Sequence, residues 1–216
     1  MNFYVSALLS STILIAAIIG GVRINRVHPS YYPLLFSFWL ASFNELLSIY
    51  LAINRVTTIL NGNIYVLLES ILITWYFKRL GIFKHVPVLF YCILTALGML
   101  WTLETFIFNT IYEMSIYYRI FYSSLIVLMS IHTINGFITK SRGALLKHSS
   151  FLVCIGFIIF YTYKVIIEAF FLYGLSSIRF QIVVFDILVY INVVVNFIYA
   201  LAALWMPKRQ AFTLPS

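Results

Sequence analysis

The sequence predicts an all-α fold, a polytopic transmembrane bundle of seven helices with its N-terminus outside the cell and its C-terminus in the cytoplasm. Apolar residues make up 63% of the 216 residues and charged residues only 9%, whereas a soluble domain carries roughly a quarter charged residues. The apolar residues also fall into seven runs, each close to the ~20 residues that a helix needs to cross a bilayer. Residues 1–216 are therefore expected to form one membrane domain.

The seven runs are separated by residues that typically end or start a helix. Pro29 precedes the second run, Asn61-Gly62-Asn63 the third, and Pro87 opens the fourth. Gly174 ends the sixth run and Pro207 the seventh. The predicted spans are residues 4–22, 33–53, 63–80, 86–106, 114–138, 149–174 and 181–206.

The basic residues of the loops predict the orientation of the bundle, because cytoplasmic loops of membrane proteins are enriched in Lys and Arg. Loops on the opposite side contain only Arg55 and Arg179, together with Glu104 and Glu113. The side predicted to be cytoplasmic therefore has ten basic residues and the opposite side has two. Every loop agrees with a cytoplasmic C-terminus. The ten are Arg23, Arg26, Lys78, Arg79, Lys84, Lys140, Arg142, Lys147, Lys208 and Arg209.

Six ionisable residues lie well inside the predicted spans. A charge at the centre of a bilayer costs about 3 kcal/mol or more, so each is expected to face the interior of the bundle. From the predicted helix ends and a rise of about 1.5 Å per residue, none of the six lies in the cytoplasmic half, and Lys164 lies close to the midplane. They are Glu45, Glu69, Arg119, Lys164, Glu168 and Asp186. With Asn44 and Asn192 as further polar residues, they predict a polar, acidic cavity that binds a ligand or protons.

The six ionisable residues include more carboxylates than basic groups, so they cannot all form ion pairs with one another. Lys164 and Glu168 are four residues apart on one predicted helix and can pair, and Arg119 can pair with one more carboxylate. Two carboxylates then lack a basic partner, and a buried carboxylate in that position tends to hold a proton or to bind a cation. The alternative is that the charged groups only tie helices together.

The sequence lacks the residue patterns that are typical of several functional classes. The basic residues follow the pattern of topology determinants, so no nucleic-acid partner is expected. No metal site and no cofactor are predicted, since His132 is the only histidine well inside a span and Cys92 and Cys154 stand apart. The motifs of serine hydrolases, zinc proteases and nucleotide-binding loops are also missing. An enzyme is therefore less favoured than the other functional classes. The one kind of enzyme that these residues still allow is an intramembrane hydrolase with paired carboxylates.

Three stretches carry a resemblance to a known group of proteins. They are Asn44-Glu45 in the second span, the run from Asn63 to Glu69 in the third, and Asn192 with Asn196 in the last. In these stretches the chain resembles uncharacterised bacterial seven-helix inner-membrane proteins. The resemblance implies a multi-pass protein of the bacterial inner (plasma) membrane and carries no established activity.

The sequence favours a sensor that binds a small ligand or cation in the outer cavity and signals through a partner protein, in the cytoplasm or in the membrane. Its predicted loops are too short to form an output domain, so a partner is needed. A small proton- or cation-coupled transporter is the alternative. Transport sites often adjoin interrupted helices, and the apolar runs show no interruption by proline.

Overall fold

The computed structural model describes residues 3–108, 111–140, 147–173 and 178–208. Within these ranges the regular elements are helices, and an isolated bridge between Val27 and Lys208 is the one pairing of β type. The predicted all-α class is confirmed. The helices are α1 (Phe3–Ser10), α2 (Ile13–Arg23), α3 (Tyr32–Ile53), α4 (Ile59–Arg79), α5 (Pro87–Leu103), α6 (Ile116–Lys140), α7 (Ser149–Leu172) and α8 (Ile178–Trp205).

Six helical stretches among the described residues are long and apolar enough to cross a membrane, so the chain is a multi-pass membrane protein. The α1–α2 pair supplies the first of them, and a π-helical turn, Glu104–Phe108, extends α5. Helix α4 has a comparable length of 21 residues but is more polar, and it is not one of the six. They are Tyr4–Arg23, Pro29–Ile53, Pro87–Phe108, Ile116–Thr139, Ser149–Leu172 and Ile182–Trp205.

Helix α4 begins at Ile59, so the predicted start at residue 63 is wrong. The Asn61-Gly62-Asn63 sequence lies inside the first turns of the helix, where the Gly62 amide donates a hydrogen bond to the Thr58 carbonyl. Asparagine and glycine usually mark turns. Here both asparagine side chains bind groups outside α4, and these contacts outweigh the local preference.

The first span, predicted as one helix, is divided between α1 and α2 at Ser11 and Thr12. Both hydroxyls donate hydrogen bonds to carbonyls of the preceding turn, Ser11 to Ala7 and Thr12 to Leu9, each at 2.7 Å. Hydroxyl side chains that bond back to the helix compete with its regular hydrogen bonds and bend it. The end predicted for the sixth span, Gly174, lies outside the described residues.

The helices form a ring with one helix outside it. Around the ring α2 packs against α3, α3 against α4, α4 against α6, α6 against α7, α7 against α8, and α8 against α2. Helix α5 packs on the outside against α4 and α6. Among the described helices, the interior of the ring is therefore bounded by α2, α3, α4, α6, α7 and α8 and not by α5.

We call the end of the bundle at which α1 begins the upper end, and the end at which α8 finishes the lower end. At the lower end Arg23 donates hydrogen bonds to the carbonyls of Ala203, Leu204 and Met206, which closes the last turn of α8. The hydroxyls of Tyr31 and Ser150 meet at 2.6 Å, which joins the start of α3 to the start of α7.

Aromatic rings fill the interior above these contacts, in a cluster that we call the aromatic plug. The Phe157 ring lies at its centre, with ring centroids 5.9 Å from Phe77, 6.5 Å from Tyr76 and 5.7 Å from Tyr199. Tyr199 stacks on Phe38 at 5.2 Å. Such ring pairs stabilise a structure by about 0.5–1.5 kcal/mol each beyond the area that they bury. The lower half of the bundle is therefore densely packed.

Candidate functional site

A cavity of about 160 Å³ lies inside the ring, near the middle of the helices. It is too small for a drug-sized molecule, which needs roughly 300 Å³ or more, and large enough for a small solute or several waters. Three tyrosines line it, namely Tyr65, Tyr161 and Tyr199. The other polar lining residues are Ser10, Ser37, Asn44, Glu45, Glu69, Asn192 and Asn196.

Four of the eight candidate residues line the cavity, namely Asn44, Glu45, Glu69 and Asn192. Glu69 lies deeper than the sequence predicts. It stands ten residues from either end of α4, about 15 Å along the axis, and thus at mid-span and not in the outer half. The difference arises because α4 starts four residues before the predicted position.

The other four candidates do not line the cavity. Arg119, Lys164 and Glu168 lie on α6 and α7 and form ion pairs. Asp186 is half-buried on α8 and is not among the residues that line the cavity. The predicted cluster is therefore divided between the cavity wall and interhelical ion pairs, and Glu69 belongs to both.

Glu69 is held by three neighbours on three helices. The Tyr65 hydroxyl donates to one carboxylate oxygen at 2.5 Å, and the Tyr122 hydroxyl donates to the other at 3.1 Å. The Lys164 ammonium lies 4.0 Å from that second oxygen and also donates to the Tyr122 hydroxyl. Both oxygens of this buried carboxylate are thus occupied, and α4, α6 and α7 are tied together at one point.

Arg119 and Glu168 form a second ion pair nearer the upper end, with a guanidinium nitrogen 3.6 Å from a carboxylate oxygen. Asn63 accepts a hydrogen bond from Arg119 and donates one at 2.7 Å to the carbonyl of Glu113. The predicted pairing of Lys164 with Glu168 inside one helix is therefore wrong. Each residue pairs instead with a charge on another helix, which sequence spacing could not show.

Glu45 differs from the other cavity carboxylate in its surroundings. Among the described residues no basic group lies within 4 Å of its carboxylate, and the side chain of Ser10 faces it. Glu45 and Ser10 also line a second pocket of about 230 Å³. The remaining lining residues of that pocket, here called the access groove, are Ser6, Ala7, Ser48, Ile49, Ala52 and Thr58.

The access groove extends from Glu45 toward the upper end of the bundle. Ala52 lies in the last turn of α3, and Thr58 directly precedes α4. Ser10 and Glu45 belong to both walls, so the groove and the central cavity adjoin at these two side chains. A solute that entered the cavity from the groove would pass the carboxylate of Glu45.

The break between α1 and α2 borders the cavity. Ser10 and Ile13, the residues on either side of the break, both line it. The Asn196 amide of α8 donates a hydrogen bond at 3.0 Å to the Thr12 hydroxyl within the break. Sequence reasoning missed this feature, although the run Ser10-Ser11-Thr12 inside an apolar span was its signal.

Toward the lower end the cavity stops at the aromatic plug. Phe38, Phe157 and Tyr199 belong both to the plug and to the cavity wall. His132, the histidine that lies well inside a predicted span, lines a separate pocket beside Gly81 and Phe137. Among the described residues, the cavity therefore adjoins a groove on its upper side and meets aromatic rings on its lower side.

Within the part of the chain that the structure describes, no three His, Cys, Asp or Glu side chains stand close enough together to hold a metal ion. Comparison of the chain with protein families, with characterised proteins and with solved structures finds no match. No activity is therefore carried over from a relative.

Proposed function

We propose that this protein is a seven-helix sensor of the plasma membrane, in which a small ligand comes from outside, binds in the central cavity and changes the packing of the helices. The observation that carries the proposal is the one-sided cavity. It meets the access groove at Glu45 and ends at the aromatic plug around Phe157. A site open to one side and sealed from the other suits detection of an external solute.

Seven crossings follow if α4 spans the membrane with the other six stretches. Its 21 residues extend over about 31 Å, the thickness of the hydrocarbon core of a bilayer. Its polar residues Asn63, Glu69 and Ser70 are buried, whereas Ile64 and Leu68 are exposed on its outer face. A helix that turns polar groups inward and apolar groups toward lipid is compatible with a spanning position.

With seven crossings, we infer that the upper end lies outside and the lower end in the cytoplasm. Basic residues flank the helices at the lower end, and the positive-inside bias assigns that end to the cytoplasm. These residues offer a partner protein with acidic groups a surface on which to dock. A change in the packing of α4, α6 and α7 around Glu69 would reach that surface along the helices.

Transport is the second candidate, favoured by the break between α1 and α2. Interrupted helices with their ends at mid-membrane form the binding sites of many secondary transporters, and this break borders the cavity. The aromatic plug would then be the closed inner gate of an outward-facing state. A hydrolase with paired carboxylates is less well supported, because both oxygens of Glu69 accept hydrogen bonds from tyrosines.

A thermal-shift screen of small metabolites on the purified protein in detergent tests the proposal. Ala41→Phe places a ring in the cavity wall, and Val22→Phe adds the same ring at a position that is 79% exposed on the outer surface. We expect compounds that stabilise the wild type and Val22→Phe and lose this effect in Ala41→Phe. Hits that Ala41→Phe leaves unchanged would contradict binding in the cavity.

The same compounds then separate sensing from transport in proteoliposomes. For a sensor we expect uptake no faster than into liposomes without protein. Uptake that depends on the protein and is abolished by Ala41→Phe would replace the sensor by the transporter, with the same cavity as the site.

A further inference from the structure

We propose that the cavity binds a small organic ammonium ion and that Glu45 is its counter-ion. This inference rests on the proposed function, since it names the class of ligand for the same site. It follows from the charge of the cavity wall, from the aromatic rings in that wall and from an ammonium group that the structure already places against two of them.

The cavity wall contains two carboxylates, and among the described residues only one of them has a basic partner. Glu69 faces Lys164 at 4.0 Å and accepts hydrogen bonds from two tyrosines. Glu45 has no basic group within 4 Å among the described residues. A charge in the interior of a membrane protein is stable when an opposite charge meets it. The wall is therefore complementary to a ligand with one positive charge.

Aromatic faces supply the rest of an ammonium site. Phe160 and Tyr161 line the cavity, and the Lys164 ammonium already lies 5.8 Å from the centroid of each ring. It also lies 4.9 Å from the centroid of Tyr122. Ring faces attract ammonium groups within about 6 Å, and cages of such rings bind quaternary ammonium ligands. Phe157 and Tyr199 add further rings to the same wall.

A bare metal ion fits this wall less well than an organic cation. Hard cations such as Ca²⁺ require six to eight oxygen ligands, and the described residues hold no group of three acidic or imidazole side chains that could bind a metal. The 160 Å³ of the cavity also exceed what a dehydrated ion would fill, whereas a few methyl groups around a nitrogen would contact the rings.

Isothermal titration of the protein in lipid nanodiscs with methylammonium, tetramethylammonium and choline tests the inference. The neutral isostere 3,3-dimethylbutan-1-ol and sodium chloride serve as ligand controls. Glu45→Gln removes the charge without changing the shape of the side chain, and Glu113→Gln removes an exposed carboxylate that does not line the cavity. Phe160→Leu removes a ring from the wall, and Phe43→Leu removes one that is 64% exposed on the outer surface.

We expect at least one ammonium ion to bind about tenfold or more tightly than the neutral alcohol. Glu45→Gln should abolish this preference and Phe160→Leu should reduce it several-fold, while Glu113→Gln and Phe43→Leu keep it. Equal binding of the alcohol, an unchanged preference in Glu45→Gln, or displacement of the ammonium by equimolar sodium would overturn the inference.

The outcome for the inference is separable from the outcome for the sensor. If no ammonium ion binds, but a neutral or anionic compound binds and Ala41→Phe abolishes its binding, the ammonium inference is wrong and the sensor proposal stands. If Ala41→Phe affects the binding of no compound, both are wrong.

Discussion

The upper and lower halves of the bundle are built from the same helices but are filled by different kinds of side chain. In the lower half, α3, α4, α7 and α8 meet through the rings of the aromatic plug around Phe157. From mid-span upward, carboxylates, amides and hydroxyls of α1, α3, α4 and α8 border the cavity and the access groove. One half is closed by packing, and the other is held open by directed polar contacts.

The two kinds of contact have different effects on the space between the helices. Packed rings gain dispersion energy from each contact and leave little space between the helices. Hydrogen bonds act at a set length and direction, so a few of them fix the helices and leave volume between them. A ligand that rearranges polar contacts in the upper half can therefore act against a rigid lower half.

Removal of a ring from the plug should give the largest loss of stability. We expect Phe157→Ala to lower the free energy of unfolding by about 4 kcal/mol, because the side chain is 2% exposed and leaves a cavity. Phe43→Ala, at a position that is 64% exposed, should change it by about 0.5 kcal/mol or less. Unfolding in mixed micelles measures both, and equal losses would contradict a packed lower half.

The ion pair at Glu69 should show strong coupling between its two members. Lys164→Met leaves a buried carboxylate without its cation, and we expect a loss of about 3 kcal/mol. Adding Glu69→Gln should restore most of that loss, since a neutral amide needs no counter-charge. The double-mutant cycle tests this, and additive effects would show that the two residues do not interact in the folded protein.

Two helical glycines offer a matched pair of smaller effects. A Cβ on Gly156 would lie 2.5 Å from the Tyr199 ring, whereas a Cβ on Gly98 would meet no atom within 4 Å. Gly156→Ala should cost about 2 kcal/mol and weaken ligand binding, since the ring that it displaces belongs to the cavity wall. Gly98→Ala should be neutral or stabilise by up to about 1 kcal/mol. The reverse order would exclude close contact between α7 and α8 at this point.

The hydrogen bond across the helix break should give the smallest effect. Asn196→Leu removes the bond to Thr12 while nearly keeping the side-chain volume, and such bonds between membrane helices contribute about 0.6 kcal/mol on average. Asn192→Leu, one turn away on the cavity wall, should cost less. A loss above about 2 kcal/mol for Asn196→Leu would mean that the break is held by more than this one bond.

The class of fold followed from the sequence, because apolar runs of spanning length have few other outcomes. The start of α4 and the break between α1 and α2 did not follow. Both depend on partners from other helices: the contacts of Asn61 and Asn63 retain a turn sequence inside α4, and Asn196 binds Thr12 in the break. Local preference and periodicity contain no information on such partners.

The candidate site was predictable in part for a related reason. A charged or amide group in a span must face the interior, and Glu45, Glu69 and Asn192 do line the cavity. The depth of a residue in the membrane does not, however, show in which direction its side chain points around the helix axis. Asp186 lies six residues before Asn192, so at 3.6 residues per turn it points about 120° away from the cavity side of α8. The tyrosines at the site gave no signal, since the chain contains 16 of them.

The accessibility of one engineered thiol tests the one-sided cavity most directly. With Cys92 and Cys154 replaced by alanine, Ser10→Cys places a thiol where the access groove meets the cavity, and a membrane-impermeant ammonium thiosulfonate is added to either face of sealed vesicles. Ser150→Cys, 2% exposed in the lower half, is the buried control.

We predict that the reagent modifies Ser10→Cys rapidly from the outside and not from the cytoplasmic face, and that Ser150→Cys stays unmodified. Modification of Ser10→Cys from the cytoplasmic face, or from neither face, would contradict a cavity that is open above and sealed below.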